Sequence, residues 1–124
     1  MLAFNNRFSI INTVMQKKIL KGTTVSPGKA TGFVRIIRNE KDFSKVKNKD
    51  ILVIKSGERI FINIVKKGVG IIMSSGGITS HIAKTSRELN KPCIILKNAV
   101  KILKNGTLLN IDGEKGTIEV LKRA

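Results

Sequence analysis

Apolar residues in this chain fall in short runs separated by polar, glycine-bearing stretches. Ile51 to Ile54, Val69 to Met73 and Cys93 to Leu96 are apolar without alternation, the pattern of strands buried on both faces. Ile19 to Val25 and Thr31 to Ile37 read as two strands joined through Ser26, Pro27, Gly28 and Lys29, a turn whose proline and glycine supply the needed backbone angles. Beyond a turn at Asn105 and Gly106, Thr107 to Ile111 and Thr117 to Leu121 read as a closing hairpin around Asp112, Gly113, Glu114, Lys115 and Gly116. Helical signals lie between the strands. Glu58 to Lys67 sets Phe61, Ile64 and Val65 on one face, with an acid first, two lysines last and Gly68 beyond. Its β-branched Ile60, Ile62, Ile64 and Val65 would allow a strand, but the crossover pattern favours a helix. Ile82 to Asn90 suits a helix ended by Lys91 and Pro92, because the residue before proline disfavours helical angles. Asn39 to Asp50 is a polar connection with room for one helical turn, and Ala99 to Leu103 reads as another.

From Val69 to Leu96 the order is strand, glycine turn, helix, strand. This predicts an α/β fold with a right-handed crossover, and puts the turn at the carboxyl end of the first strand, where such sheets bind ligands. Residues 1 to 18 stand apart. Phe4, Phe8 and Ile11 have helical spacing, so either an added helix or a poorly ordered extension is expected, and Met15 is an alternative start.

Composition narrows the class. A chain of 124 residues is expected to form one domain, with a core of Ile, Val and Leu, since aromatics are 4% of the sequence. No apolar run approaches membrane-spanning length, and residues 1 to 18 lack the features of a signal peptide. With a single cysteine no disulfide framework forms, and a cytoplasmic location is expected; Cys93 reads as a small core residue. The net charge of +16 leaves a nucleic-acid or other polyanionic partner open. Against it, the lysines scatter from Lys17 to Lys122 without a block and without stacking aromatics, so the charge reads as a solvated lysine-rich surface.

The chemistry concentrates in one turn. Gly76 and Gly77 precede Thr79, Ser80 and His81, the only histidine. Two glycines permit positive φ and close approach of a ligand, so their amides can face an anion. Thr79 or Ser80 is a candidate N-cap, which puts His81 in a helix's first turn, where free amides and the helix dipole favour a phosphate. Imidazole is largely neutral at physiological pH and is then a nucleophile. Lys84, three residues on, shares the helix face of His81: either it pairs with a bound phosphate or the helix is simply less buried there. The alternative is a surface or capping histidine without chemistry. No metal site is expected, because no second histidine and no cysteine or carboxylate cluster stands at ligand spacing. Arg87, rotated by about 240° from His81, reads as structural or as a docking contact, and Asp112 as a turn residue.

These residues carry a resemblance. Gly76, Gly77, Thr79, Ser80, His81, Arg87, Glu88 and Pro92 match, in type and spacing, the signature of the phosphohistidine, or swivelling, domain of phosphoenolpyruvate-utilising enzymes, which include pyruvate phosphate dikinase, phosphoenolpyruvate synthase and enzyme I of the sugar phosphotransferase system. Leu20 to Ile37 is similar to the family's opening strands, and Asn105 to Leu121 to its closing hairpin. The chain differs from the family's usual pattern at Lys84 and Thr85, at Ser74 and Ser75, and at Ser56 to Glu58. The resemblance implies a layered β/β/α domain over residues 19 to 124, with a parallel central sheet and added antiparallel strands. It also implies a carrier: His81 would be phosphorylated, with Gly76, Gly77, Thr79 and Ser80 holding the phosphate; Lys84, a departure from the family, would add its charge by its place on the helix face. Mg²⁺, and ATP or phosphoenolpyruvate, would then sit on separate nucleotide-binding and phosphoenolpyruvate- or pyruvate-binding partners, leaving this chain catalytically incomplete alone. The other class open at this stage is a non-catalytic regulatory or polyanion-binding module with the same fold.

Overall fold

The three apolar runs lie side by side as the parallel centre of a mixed sheet. In the computed structural model, which describes residues 18–124, the strands are β1 (Lys18–Lys21), β2 (Thr23–Ser26), β3 (Lys29–Ile37), β4 (Asp50–Ile54), β5 (Gly70–Met73), β6 (Cys93–Ile95), β7 (Leu108–Asp112) and β8 (Thr117–Lys122). Their order is β1-β8-β7-β3-β4-β5-β6-β2. Pairing is parallel from β3 through β6 and antiparallel elsewhere. The expectation for residues 1 to 18 falls, apart from Lys18, outside the described residues.

Alternation of side chains along the central strands divides the core in two. Leu52, Ile54, Ile71, Met73 and Cys93 face one way and pack with Phe61, Ile64, Val65, Ile82 and Ala83 of the helical layer. Their neighbours Ile51, Val53, Ile72 and Ile94 face the other way and pack with Leu109, Ile111 and Ile118 of the antiparallel strands. Both faces are therefore dry, which explains why the runs read as continuous rather than alternating. This is the layered arrangement expected, with the helical segments between β4 and β6 on one side of the parallel strands, and β7, β8 and the helical turn at Ala99 on the other.

One strand was expected over Ile19 to Val25, and two are found. β1 pairs with β8 at one end of the sheet and β2 with β6 at the other, so the single residue between them, Gly22, joins the two ends. Its amide donates to the Gly116 carbonyl at 2.8 Å, and a Cβ there would stand 2.3 Å from the Ile95 carbonyl oxygen. Only a residue without a side chain fits.

The helix expected over Glu58 to Lys67 is shorter. A 3₁₀ turn, Arg59–Phe61, runs into a single α turn, α1 (Ile62–Val65). Its length is limited by Gly68, where a Cβ would meet the Leu52 side chain at 2.7 Å, so the chain must turn back onto β4. Lys91 caps it, donating to the Val65 and Lys66 carbonyls at 3.1 and 2.6 Å. The helix following the glycine turn, α2 (His81–Glu88), ends where Asn90 takes positive φ ahead of Lys91 and Pro92. The turn after β6 forms α3 (Ala99–Ile102), and the polar stretch after β3 holds a 3₁₀ segment, Glu40–Lys45. Cys93 is buried, and burial pushes its thiol up to about 12, so it is an inert core residue.

Candidate functional site

Strand β5 stops at Met73 because the chain is anchored there from both sides. The Ser74 amide donates to the Ile54 carbonyl at 2.8 Å, and the Ser74 hydroxyl accepts from the Val100 amide at 3.0 Å. Ser75 then donates its hydroxyl to the Lys55 carbonyl at 2.7 Å. The two serines thus tie the start of the turn to the ends of β4 and α3. Their sequence signal was visible, as a polar pair between an apolar strand and two glycines.

The turn that follows is exposed from Ser75 through Thr79. Gly76 has φ of 111°, a left-handed angle that favours glycine. Gly77 does not: its φ lies outside that region, and a Cβ there would meet nothing nearer than the Thr79 nitrogen at 4.0 Å. The expectation that both glycines supply positive φ therefore holds for Gly76 alone. What Gly77 supplies is open space over the turn. Among the described residues the amides of Gly76, Gly77, Ile78 and Thr79 donate to no protein acceptor.

Ser80, not Thr79, is the N-cap of α2. Its backbone is extended, and its hydroxyl accepts from the Ala83 amide at 3.3 Å. His81 is accordingly the first helical residue, and it is exposed. The helix start is less open than a bare N-terminus. Ile82 donates its amide to the Gly57 carbonyl at 3.4 Å and Ala83 to Ser80, which leaves the His81 amide unpaired. Gly57 is a site residue that the sequence reading passed over. A Cβ there would stand 2.3 Å from the Ser80 hydroxyl, so the loop after β4 presses against the cap only because it carries glycine.

The structure therefore brings Gly76, Gly77, Thr79, Ser80 and His81 into one continuous turn and helix start. Lys84 is exposed one helical turn along. Arg87 reaches backward: its Nε donates to the Val25 carbonyl at 2.9 Å and an Nη to the Ile78 carbonyl at 2.6 Å. Asp112 ends β7 and its carboxylate accepts from two amides of the turn that follows, Glu114 and Lys115.

Comparison with known proteins meets this geometry. The sequence profile of the family described as PEP-utilising enzyme, mobile domain, matches residues 46–116, more than half of the chain. The chain belongs to that family. Over 103 residues it is 42% identical to a probable phosphoenolpyruvate synthase of Archaeoglobus fulgidus, covering 82% of this chain and 14% of that one. It is 40% identical over 101 residues to the phosphoenolpyruvate synthase of Pyrococcus furiosus (81% and 12%) and 35% identical over 104 residues to an uncharacterised phosphotransferase of Bacillus subtilis (83% and 12%). The mobile domain thus spans only a small part of these relatives' length. Solved structures share its fold at low identity: aconitase X of Thermococcus kodakaraensis in its holo-form (TM-score 0.66, 20% identity, 85% of this chain and 99% of that one) and a UPF0107 protein solved by solution NMR (0.65, 15%, 85% and 100%). Among the described residues no helix is long and apolar enough to cross a membrane.

Proposed function

We propose that this mobile domain is a phosphohistidine carrier, with His81 taking a phosphoryl group from one partner site and delivering it to another. The observation that carries the reading is the turn itself: a series of unpaired amides and an unneeded glycine immediately precede an exposed imidazole at the first position of a helix. An anion is what such a turn favours. In the transfer, an imidazole nitrogen uses its lone pair to form a bond to phosphorus as the donor's O–P bond breaks. The departing oxygen keeps the bonding electrons, and the ring returns to neutrality by losing the proton on its other nitrogen to solvent. Little covalent work falls on the protein beyond placing the phosphate and balancing its charge. The amides of Gly76 and Gly77, the hydroxyl of Thr79 and the ammonium of Lys84 serve that purpose. Ser80 contributes chiefly through its cap, which holds the first turn of α2 in place.

The relatives' names support a phosphoenolpyruvate-linked donor or acceptor. Of those compared, one is a phosphoenolpyruvate synthase and one is named a probable phosphoenolpyruvate synthase, both several times longer than this chain. On that basis the phosphoryl group comes from ATP or phosphoenolpyruvate, bound with Mg²⁺ on separate domains or subunits, and this chain turns nothing over alone. Incubation with labelled ATP or phosphoenolpyruvate and cell extract at neutral pH is expected to give an acid-labile, alkali-stable label that is absent from His81→Ala. No label with either donor would sink the carrier and favour a binding module of the same fold, with salt-sensitive retention on nucleic acid as its sign.

A further inference from the structure

Arg87 stands six residues beyond His81, about 240° around the helix and about 9 Å along it. Its two hydrogen bonds go to carbonyls of separate segments, Val25 in β2 and Ile78 at the tip of the glycine turn. The bond to Val25 alone would pin α2 to β2. The bond to Ile78 has no such packing purpose, because Ile78 is 54% exposed and water could satisfy its carbonyl at little cost.

What the second bond does is orient a peptide plane. All peptide bonds among the described residues are trans, so the Thr79 N–H points opposite to the Ile78 carbonyl. With that carbonyl held by the guanidinium, the Thr79 amide faces away from Arg87, and it has no protein acceptor. The guanidinium is a rigid fork, so a carbonyl fixed in β2 fixes the carbonyl at the turn. Flipping the plane would break a charge-assisted bond and aim the Ile78 oxygen at the incoming anion.

We propose that Arg87 is a positioning residue: by bridging the Val25 and Ile78 carbonyls it presents the Thr79 amide as a donor to the phosphoryl group on His81. This rests on the carrier reading above, and the experiment separates the two. The ¹⁵N-labelled full chain is phosphorylated with phosphoramidate, in which an imidazole nitrogen bonds to phosphorus as the reagent's P–N bond breaks and ammonia leaves. In the wild type the Thr79 amide resonance is expected to move on phosphorylation. The phosphoryl group is expected to titrate, by ³¹P resonance, roughly one pH unit below that of a phosphorylated histidine peptide, since donated hydrogen bonds favour its dianion.

In Arg87→Met, His81 still takes the label, but the Thr79 response is lost and the titration returns to the peptide value. Arg87→Lys keeps the charge without the fork and recovers the titration only in part. A Thr79 response and titration in Arg87→Met equal to wild type would overturn the positioning role and leave the carrier standing. A wild type in which phosphorylation moves no turn amide would overturn both. Should Arg87→Met lose the dispersed amide spectrum of the folded chain, the Lys variant decides by the same two readouts.

Discussion

Two glycine-bearing turns of this molecule, residues 74–80 and residues 112–116, are built to opposite ends. In the β7–β8 turn the donors are consumed internally. Asp112 accepts from the Glu114 and Lys115 amides at 3.0 and 3.1 Å, its own carbonyl accepts from Gly116 at 2.8 Å, and Gly113 donates to Gly28 at 2.7 Å. The glycines there are demanded by the fold, because a Cβ on Gly113 would stand 2.0 Å from the Ser26 carbonyl oxygen and Gly116 has φ of 73°. In the turn before α2, by contrast, consecutive amides go unused and Gly77 has no packing neighbour to avoid. A turn whose hydrogen bonds close on themselves serves the fold. A turn that leaves donors open and space above them is shaped for something that arrives from outside.

Substituting the two glycines breaks or sharpens that contrast most forcefully. Gly113→Ala is expected to destabilise the fold by about 3 kcal/mol, because its new methyl meets backbone rather than a movable side chain. Whatever fraction stays folded should still be phosphorylated. Gly77→Ala is expected to do the reverse, shifting stability by no more than about 0.5 kcal/mol while sharply reducing label on His81. Denaturant titration and labelling of the two variants side by side check this. If Gly77→Ala labels like wild type, the open space has no ligand to admit.

A middle-sized effect is expected at the helix start. Ser80→Ala removes the acceptor for the Ala83 amide and should cost about 1 kcal/mol in a thermal melt, with Ser80→Asp restoring most of it. The smallest effect lies in the hairpin. Hydrogen bonding from the Lys115 amide, with a further bond from Glu114, holds the Asp112 carboxyl below its ordinary value of 3.8. A folded-state value below the unfolded one means stability that is present above the unfolded value and lost as pH falls through the folded one. Asp112→Asn should therefore lower stability slightly near neutrality and converge with the wild type at the acid end, where the carboxyl is protonated, as acid and neutral denaturant titrations of the two would show.

Much of this was legible in the residues, for definite physical reasons. Runs such as Ile51 to Ile54 and Val69 to Met73 read as doubly buried strands because the strands they form, β4 and β5, are dry on both faces. His81 read as a first-turn residue because Ser80 is a good N-cap and the two glycines break the strand before it. What was not legible depends on close approach between segments distant in sequence. Nothing local in Ile19 to Val25 says that its halves join opposite ends of the sheet, since Gly22 is required by Ile95 and Gly116. The helix at Glu58 to Lys67 shrank because Gly68 packs on Leu52, which its periodicity does not record. Helical geometry sets Arg87 about 240° around α2 from His81, but it does not show a long side chain reaching back to Ile78. Likewise the Ile82 amide, open in an isolated helix, is taken by Gly57 from another loop.

The central claim is that the open turn exists to hold phosphorus on His81. Isolating the protein from growing cells at neutral pH, and locating any modification by tandem mass spectrometry without acid, tests it most directly. The account predicts a phosphoryl group on His81 that disappears on brief acid treatment. A protein carrying none under any growth condition, or carrying it on Thr79 or Ser80 instead, would contradict it.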